Sequence, residues 1–440
     1  MASRFTAIVP LLVLMSLACI SVFVGVSSGN LLIPVALCYT IAFMVVTWRR
    51  IDIALAVVLV LTPWVQNVSS SGFAKFSIAE LHIFLVAIVQ LAKTILTRRT
   101  LSIGKLTGPV ILYMALTCVS AYQGGIERED IIALFQTGIF CFVLPFLFLN
   151  RDLNPKVQRN ILLAAACSTV VLGIFQIVAG PKAFALGIHK NNVGQGMAAG
   201  LSLWLSAWFD NSKGWWSKIL VPAIAIVTIA LVFTLSRGAW IGAVCGIVAL
   251  AVMYSRGQLL WRASLVIVPL IAVMWNFLPK EEQEYASSFD RQKYDNIDIR
   301  YANLDRTAEL IKSSPLIGHG ISIRKQLDAT NLVMVTLAEG GILGFVLFIV
   351  ALGTYFVIVV RIIRRIPPSD PRFLIVAASC AVMVSRLGHA QFDHYWVRGA
   401  STIAWASVGM VLAVYKTQTE SRNQKSFRTN PSNFMIRGVD

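Results

Sequence analysis

Basic side chains placed where apolar segments end give this 440-residue chain its clearest capacity for chemistry on an anionic substrate. Ile219 to Ser255 holds a single charge, Arg237, with 18 residues on either side, and each half is about one bilayer-crossing helix long. Arg237 therefore falls at a hairpin tip. An arginine at a span end can simply snorkel to lipid headgroups, but the setting Thr234-Leu-Ser-Arg-Gly-Ala-Trp-Ile-Gly242 favours function. Gly238 permits close backbone approach, and a planar guanidinium held at headgroup level suits two-pronged phosphate recognition.

Further along, Arg300-Tyr-Ala-Asn-Leu-Asp-Arg306-Thr-Ala-Glu-Leu-Ile-Lys312 reads as a helix with Leu304, Ala308 and Ile311 on one face. Pro315 and Gly318-His319-Gly320 end it. Arg300 and Arg306 stand six positions apart, about 120° around a continuous helix, so only one need face a substrate. A solvated Arg306/Glu309 pair is the bland alternative. His189-Lys190-Asn191-Asn192-Val-Gly194 opens another apolar segment. There Lys190 can meet a phosphate and Asn191 can cap the helix, or the group is only a polar cap with an interfacial lysine. His319, His389 and His394 are candidate general bases for a sugar hydroxyl; His389 and Asp393, four apart, either orient an imidazole or decorate a short loop. His82, beside Glu80, reads as structural.

The elements that must position these residues are bilayer spans. With 57% hydrophobic and 13% charged residues and a mean hydropathy of +0.73, a single soluble domain is excluded. The composition is that of an all-α polytopic membrane protein, with about 12–14 transmembrane helices and one large extracytoplasmic loop. Spans are predicted near 6–26, 31–48, 51–67, 79–96, 107–123, 131–149, 160–179, 192–209, 219–236, 238–255, 262–278, 340–361, 373–388 and 399–415. Met1 to Val26 reads as the first span and not as a cleaved leader. The cysteines all fall inside apolar runs and read as small core residues.

A net charge of +17 would suggest nucleic acid in a soluble protein, but its distribution marks topology. With a cytoplasmic N-terminus, the inner side collects roughly 22 Lys/Arg against 6 Asp/Glu, as the positive-inside rule requires. The expected organisation is transmembrane helices over 1–278, an extracytoplasmic loop domain over 279–330, further transmembrane helices over 331–415, and a basic cytoplasmic tail over 416–440 that reads as disordered. The loop domain holds 17 of the 59 charged residues, so it must lie in water. No nucleotide is available outside the cell membrane, so any donor there is membrane-delivered. The chain has no Walker A sequence, no Asp-x-Asp, no Gly-x-Ser-x-Gly and no zinc-ligand spacing; neither cofactor nor metal is expected. Charges at mid-membrane depth are nearly lacking, unlike in ion-coupled transporters.

At these same residues the chain resembles the O-antigen ligase and polysaccharide polymerase superfamily, the WaaL/Wzy-like group of polytopic glycosyltransferases. Thr234 to Gly242 looks like its S-R-G-A block, and Arg300 to Gly320 like its R-x14-P-L-x-G-x-G block. Asn331 to Gly344, with Leu-Ala-Glu339-Gly-Gly-Ile-Leu-Gly344, is similar to its closing E-x-G-x-x-G, and His189 to Gly194 to its H-K-N-x-x-G entry. These blocks reach from about residue 185 to 345. One departure is Thr330-Asn331, where the family commonly has His-Asn, that histidine being the usual candidate base.

The resemblance implies a bacterial inner-membrane enzyme with a periplasmic active site. It would move a glycan from undecaprenyl pyrophosphate to a sugar hydroxyl, without metal and with inversion. Arg237, Arg300, His319 and His389 are the expected catalytic residues. Arg237, Arg300, Arg306 and Lys190 are expected to hold the pyrophosphate, with His189, Asn191, Asn331, Glu339 and His394 as further candidates. The acceptor is a second lipid-linked repeat unit in a polymerase, slightly preferred because of Thr330, or a lipid A core glycolipid in a ligase. Membrane lipids and a chain-length regulator are the other expected partners. A lipid-linked glycan transporter or flippase, using the same arginines only to bind, is the reading from another class.

Overall fold

Long apolar runs become helices because every backbone polar group must be satisfied inside a bilayer, and the computed structural model is helical wherever these runs are described. It describes residues 32–64, 77–123, 125, 128–151, 153–210, 216–254, 257–287, 295–321, 323, 331–392 and 401–429. The first expected span lies outside them. Helices α1 (Leu32–Arg49), α2 (Ile51–Leu61), α3 (Ile78–Thr97), α4 (Thr107–Gln123), α5 (Arg128–Gly138), α6 (Leu144–Leu149), α7 (Pro155–Ala179) and α8 (Lys190–Phe209) form the first part. A π-helical turn, Ile139–Val143, joins α5 to α6, so that Asp130–Leu149 is one candidate span.

The second part contains α9 (Trp216–Phe233), α10 (Arg237–Tyr254), α11 (Gly257–Phe277), the short α12 (Lys280–Ser287) and α13 (Asp295–Ser313). It closes with α14 (Leu332–Ile363), α15 (Pro371–His389) and α16 (Thr402–Thr429). Among the described residues six helices are long and apolar enough to cross a membrane by length and composition: α3, the α5–α6 span, α7, α10, α14 and α15. Together with the absence of strands among the described residues, this is an all-α, multi-pass membrane protein. Of the cysteines, Cys38 and Cys118 are exposed on the helix surfaces and Cys380 is buried, so the expectation of core positions fails for the first two; apolar sequence alone does not distinguish a lipid-facing from a core-facing helix side.

The core is built around α15, which is 72% buried over its span window against 39% for α14. It packs on α8, α10 and α16. Gly238, Gly242 and Gly246 repeat every fourth residue on the side of α10 that meets α15. A Cβ on Gly242 would lie 2.6 Å from the Ser385 carbonyl oxygen, and one on Gly246 would lie 3.0 Å from Ser385 Cβ. This is the small-xxx-small device by which membrane helices gain van der Waals contact, since lipid supplies no hydrophobic drive between them.

Candidate functional site

Three helix beginnings and one helix end meet at a single corner. Arg237 is the first residue of α10, after a tight turn in which Leu235 has φ +48° and the Ser236 N–H donates to Thr234 Oγ1 (3.3 Å). The N-terminal turns of α8 press on this turn: a Cβ on Gly194 would lie 2.9 Å from Ala239 Cβ and 3.1 Å from Ser236 Cβ. At the end of α15, a Cβ on Gly238 would lie 2.8 Å from His389 Cδ2 and 3.0 Å from Phe392 Cβ. The third helix start is that of α14, where the Leu332 N–H donates to the Ala390 carbonyl (2.8 Å). The motif blocks at His189–Gly194 and Thr234–Gly242 and the start of the Asn331 block thus converge, with the residues just before Gln391 as their common floor.

Arg300 reaches the same corner from the polar helix α13: its Nη1 donates to the Phe392 carbonyl oxygen. The start of α10, which Arg237 opens, and Arg300 therefore share Phe392 as a neighbour, the first through Gly238 and the second by a direct hydrogen bond. The helix carrying Arg300 is continuous, and Arg306 lies on its exposed side. The aligned N–H groups at the starts of α8, α10 and α14 carry partial positive charge. A cation at such a start opposes the helix dipole by about 0.3–1 kcal/mol, a cost that a bound anion would remove.

What holds α13 in place is an exchange of hydrogen bonds with α14. Gly341 interrupts α14 with φ +60° and ψ −163°, a conformation that favours glycine. The Ile342 and Leu343 N–H groups, displaced from their helical acceptors, donate to Pro315 O (2.9 Å) and Leu316 O (3.2 Å). The carbonyls they leave, Ala338 and Glu339, accept from His319 N (2.9 Å) and Gly320 N (2.9 Å). The Pro315–Gly320 turn is thereby inserted into the helix ladder, and Ser120 Oγ at the end of α4 donates to the Ile317 carbonyl.

Several expectations change on this evidence. His319 does not stand open as a base: its Nε2 is within 2.9 Å of both the Leu310 carbonyl and Ser313 Oγ, so the ring ties off the end of α13. Asn191 is not the cap of α8; His189 is, its Nδ1 accepting from the Asn191 N–H (3.2 Å), because extended φ/ψ at His189 turns its ring over the helix start. Lys190 follows as the first helical residue, partly exposed. His389 is no loop decoration but the last residue of α15, only 1% exposed, while Asp393 and His394 lie outside the described residues. Asn331 caps α14 through Oδ1 and the Met334 N–H (2.8 Å); Thr330 is also outside the described residues. Glu339 is 1% exposed, and Tyr113 Oη donates to its Oε2 at 3.5 Å in a cleft that Thr336, Ser401 and Trp405 also line.

Arg386 is the site residue that sequence reasoning missed. It is 4% exposed inside α15, one turn before His389, and Nη1 lies 3.1 Å from His389 Nδ1. With Thr62, Asn192, Gln195, Ser385 and His389 it lines a cavity of about 20 Å³, room for one water. Its place in the last turn of α15 suits a cation, since the carbonyl end of a helix is negative. The legible signal was an Arg-x-x-His pair inside an otherwise apolar span. Among the described residues no group of three His, Cys, Asp or Glu side chains is placed to share a metal ion.

The fold and this corner define a multi-pass helical membrane protein with clustered arginines at one end of its bundle. Residues 222–349, from within α9 to within α14, match the family model described as O-antigen ligase. The match covers three of the four motif blocks, supports the O-antigen ligase and polymerase superfamily, and with it a ligase- or polymerase-type function in O-antigen biosynthesis. No curated protein matches the chain.

Proposed function

We propose that the chain transfers a glycan from undecaprenyl pyrophosphate to a sugar hydroxyl at the periplasmic face of the bacterial inner membrane. The observation that supports this reading is that the helix start carrying Arg237 and the Arg300 guanidinium both lie at Phe392. In the reaction the acceptor hydroxyl oxygen forms a bond to the anomeric carbon from the face opposite the leaving group, and its proton passes to water. The carbon–oxygen bond to the diphosphate breaks, and its electron pair leaves with undecaprenyl pyrophosphate. Negative charge grows on that leaving oxygen, and charge-assisted hydrogen bonds from Arg237 and Arg300 oppose it, with Lys190 at the adjacent helix start in support. Attack from the opposite face inverts, so an α-linked donor yields a β-linkage. No metal takes part. Arg306, on the outer side of α13, belongs to glycan or solvent and not to the diphosphate.

Within this class the polymerase is the preferred reading, because Thr330 stands where the family commonly carries a histidine. Purified full-length protein in vesicles with a synthetic lipid-linked repeat unit tests both levels. Elongated glycan without a second protein supports the polymerase; transfer that appears only when a lipid A core acceptor is added makes it a ligase. Transbilayer movement of the substrate with no new glycosidic bond overturns the enzyme and leaves the transporter.

A further inference from the structure

We propose that Arg386 is a positioning residue that keeps the proton of the neutral His389 ring on Nε2, so that the buried imidazole turns a donor, and not a lone pair, toward the start of α10 that carries Arg237. The bearing on catalysis rests on the reading given under Proposed function; the tautomer does not. A guanidinium has five N–H donors and no acceptor. Since Arg386 Nη1 lies 3.1 Å from His389 Nδ1, Nδ1 must supply the lone pair, and a neutral ring then carries its proton on Nε2. That nitrogen lies on the side of α10, 3.3 Å from where a Gly238 Cβ would stand, beside the first residue of that helix, Arg237. With Nδ1 taken by Arg386 and Nε2 buried against α10, His389 is thereby no base for a sugar hydroxyl; its part is to hold the start of α10, and with it Arg237, in place. The fixed frame is what preorganisation requires: the ring is packed under Gly238, Gly242 lies against the His389 Cβ and N, and the arginine that orients the ring is buried at the negative end of α15.

The test is nitrogen NMR on the full-length protein labelled at histidine in lipid nanodiscs, with His389→Asn identifying the resonances. The chain has five histidines, so the spectrum is tractable. In the wild type, Nδ1 should show the shift of an unprotonated ring nitrogen and Nε2 that of a protonated one. Arg386→Met, which keeps the stem and removes the donor, should convert His389 to a tautomer mixture; Arg386→Lys should restore part of the wild-type state. A wild-type His389 protonated on Nδ1, or a tautomer unchanged in a folded Arg386→Met protein, overturns the inference. The wild-type spectrum alone decides if that variant does not fold.

Turnover separates the two readings. Arg386→Met should lower kcat at least about tenfold, as a small misplacement of catalytic groups does, with KM little changed, and Arg386→Lys should recover part of it. Normal turnover in a variant whose tautomer has shifted removes the positioning role from the proposal and counts against this corner as the reaction site.

Discussion

Gly318 sits so close to Glu339 that a Cβ built on it would lie 2.4 Å from both the carbon and the oxygen of the Glu339 carbonyl. Gly318 also has φ +70°. Gly318→Ala should therefore push the Arg300 helix off α14, lower the thermal midpoint by several degrees and reduce turnover at least about tenfold, as a small misplacement of catalytic groups does. Gly340→Ala is the internal control: its added Cβ meets nothing within 4 Å, and alanine favours a helix interior by about 0.5–1 kcal/mol. Equal behaviour of the two variants in a melt and an elongation assay would refute the inserted turn as the anchor of α13.

Arg237→Lys keeps the charge but loses the planar fork. Most activity should disappear while the melting profile stays near wild type, since Arg237 begins α10 and is not a core residue. Wild-type elongation by this variant would take Arg237 out of the mechanism.

His319→Ala should act on stability. It removes a ring bonded to Leu310 O and Ser313 Oγ, at a cost of about 1–3 kcal/mol if a partner is left buried and unsatisfied. The folded fraction should keep its kcat. A collapse of kcat with an unchanged melting midpoint would restore His319 as a reacting group.

Gly242→Ala places a methyl 2.6 Å from the Ser385 carbonyl oxygen and 3.1 Å from His389 Cβ. Backbone cannot yield as a side-chain tip can, so α10 and α15 must part, at about 1–3 kcal/mol by analogy with overpacked cores. Turnover should fall with stability, because the same displacement moves His389. A Gly242→Ala protein as stable and as active as wild type would show that the two helices do not meet as described.

Addition of a chelator should leave turnover unchanged, because the two arginines carry the charge of the leaving group in the proposed reaction. Strong inhibition reversed by a divalent cation would contradict that division of labour.

Much of the architecture was open to reading from the sequence. Apolar runs of bilayer length are helical where described, and the Arg300 to Lys312 segment is part of α13; but α14 begins well before its expected span at 340, and α16 runs on to Thr429, through the first part of the tail expected to be disordered. The roles inside the motifs were less legible. Glycines at 238, 242, 318 and 341 look alike as letters, yet two of them let helices approach and two fit a turn into a broken helix, a distinction that depends on partners distant in the chain. His319 carries base chemistry in its side chain, and only the fold reveals that Leu310 and Ser313 already hold its ring. Arg386 escaped because hydropathy averages one charge into its apolar neighbours, and nothing local marks which way it points.

The floor of the arginine corner comes from the end of α15, residues translated well after both guanidiniums have left the ribosome. A nascent chain halted before residue 371 would own Arg237 and Arg300 but not the segment that Gly238 and Arg300 both meet.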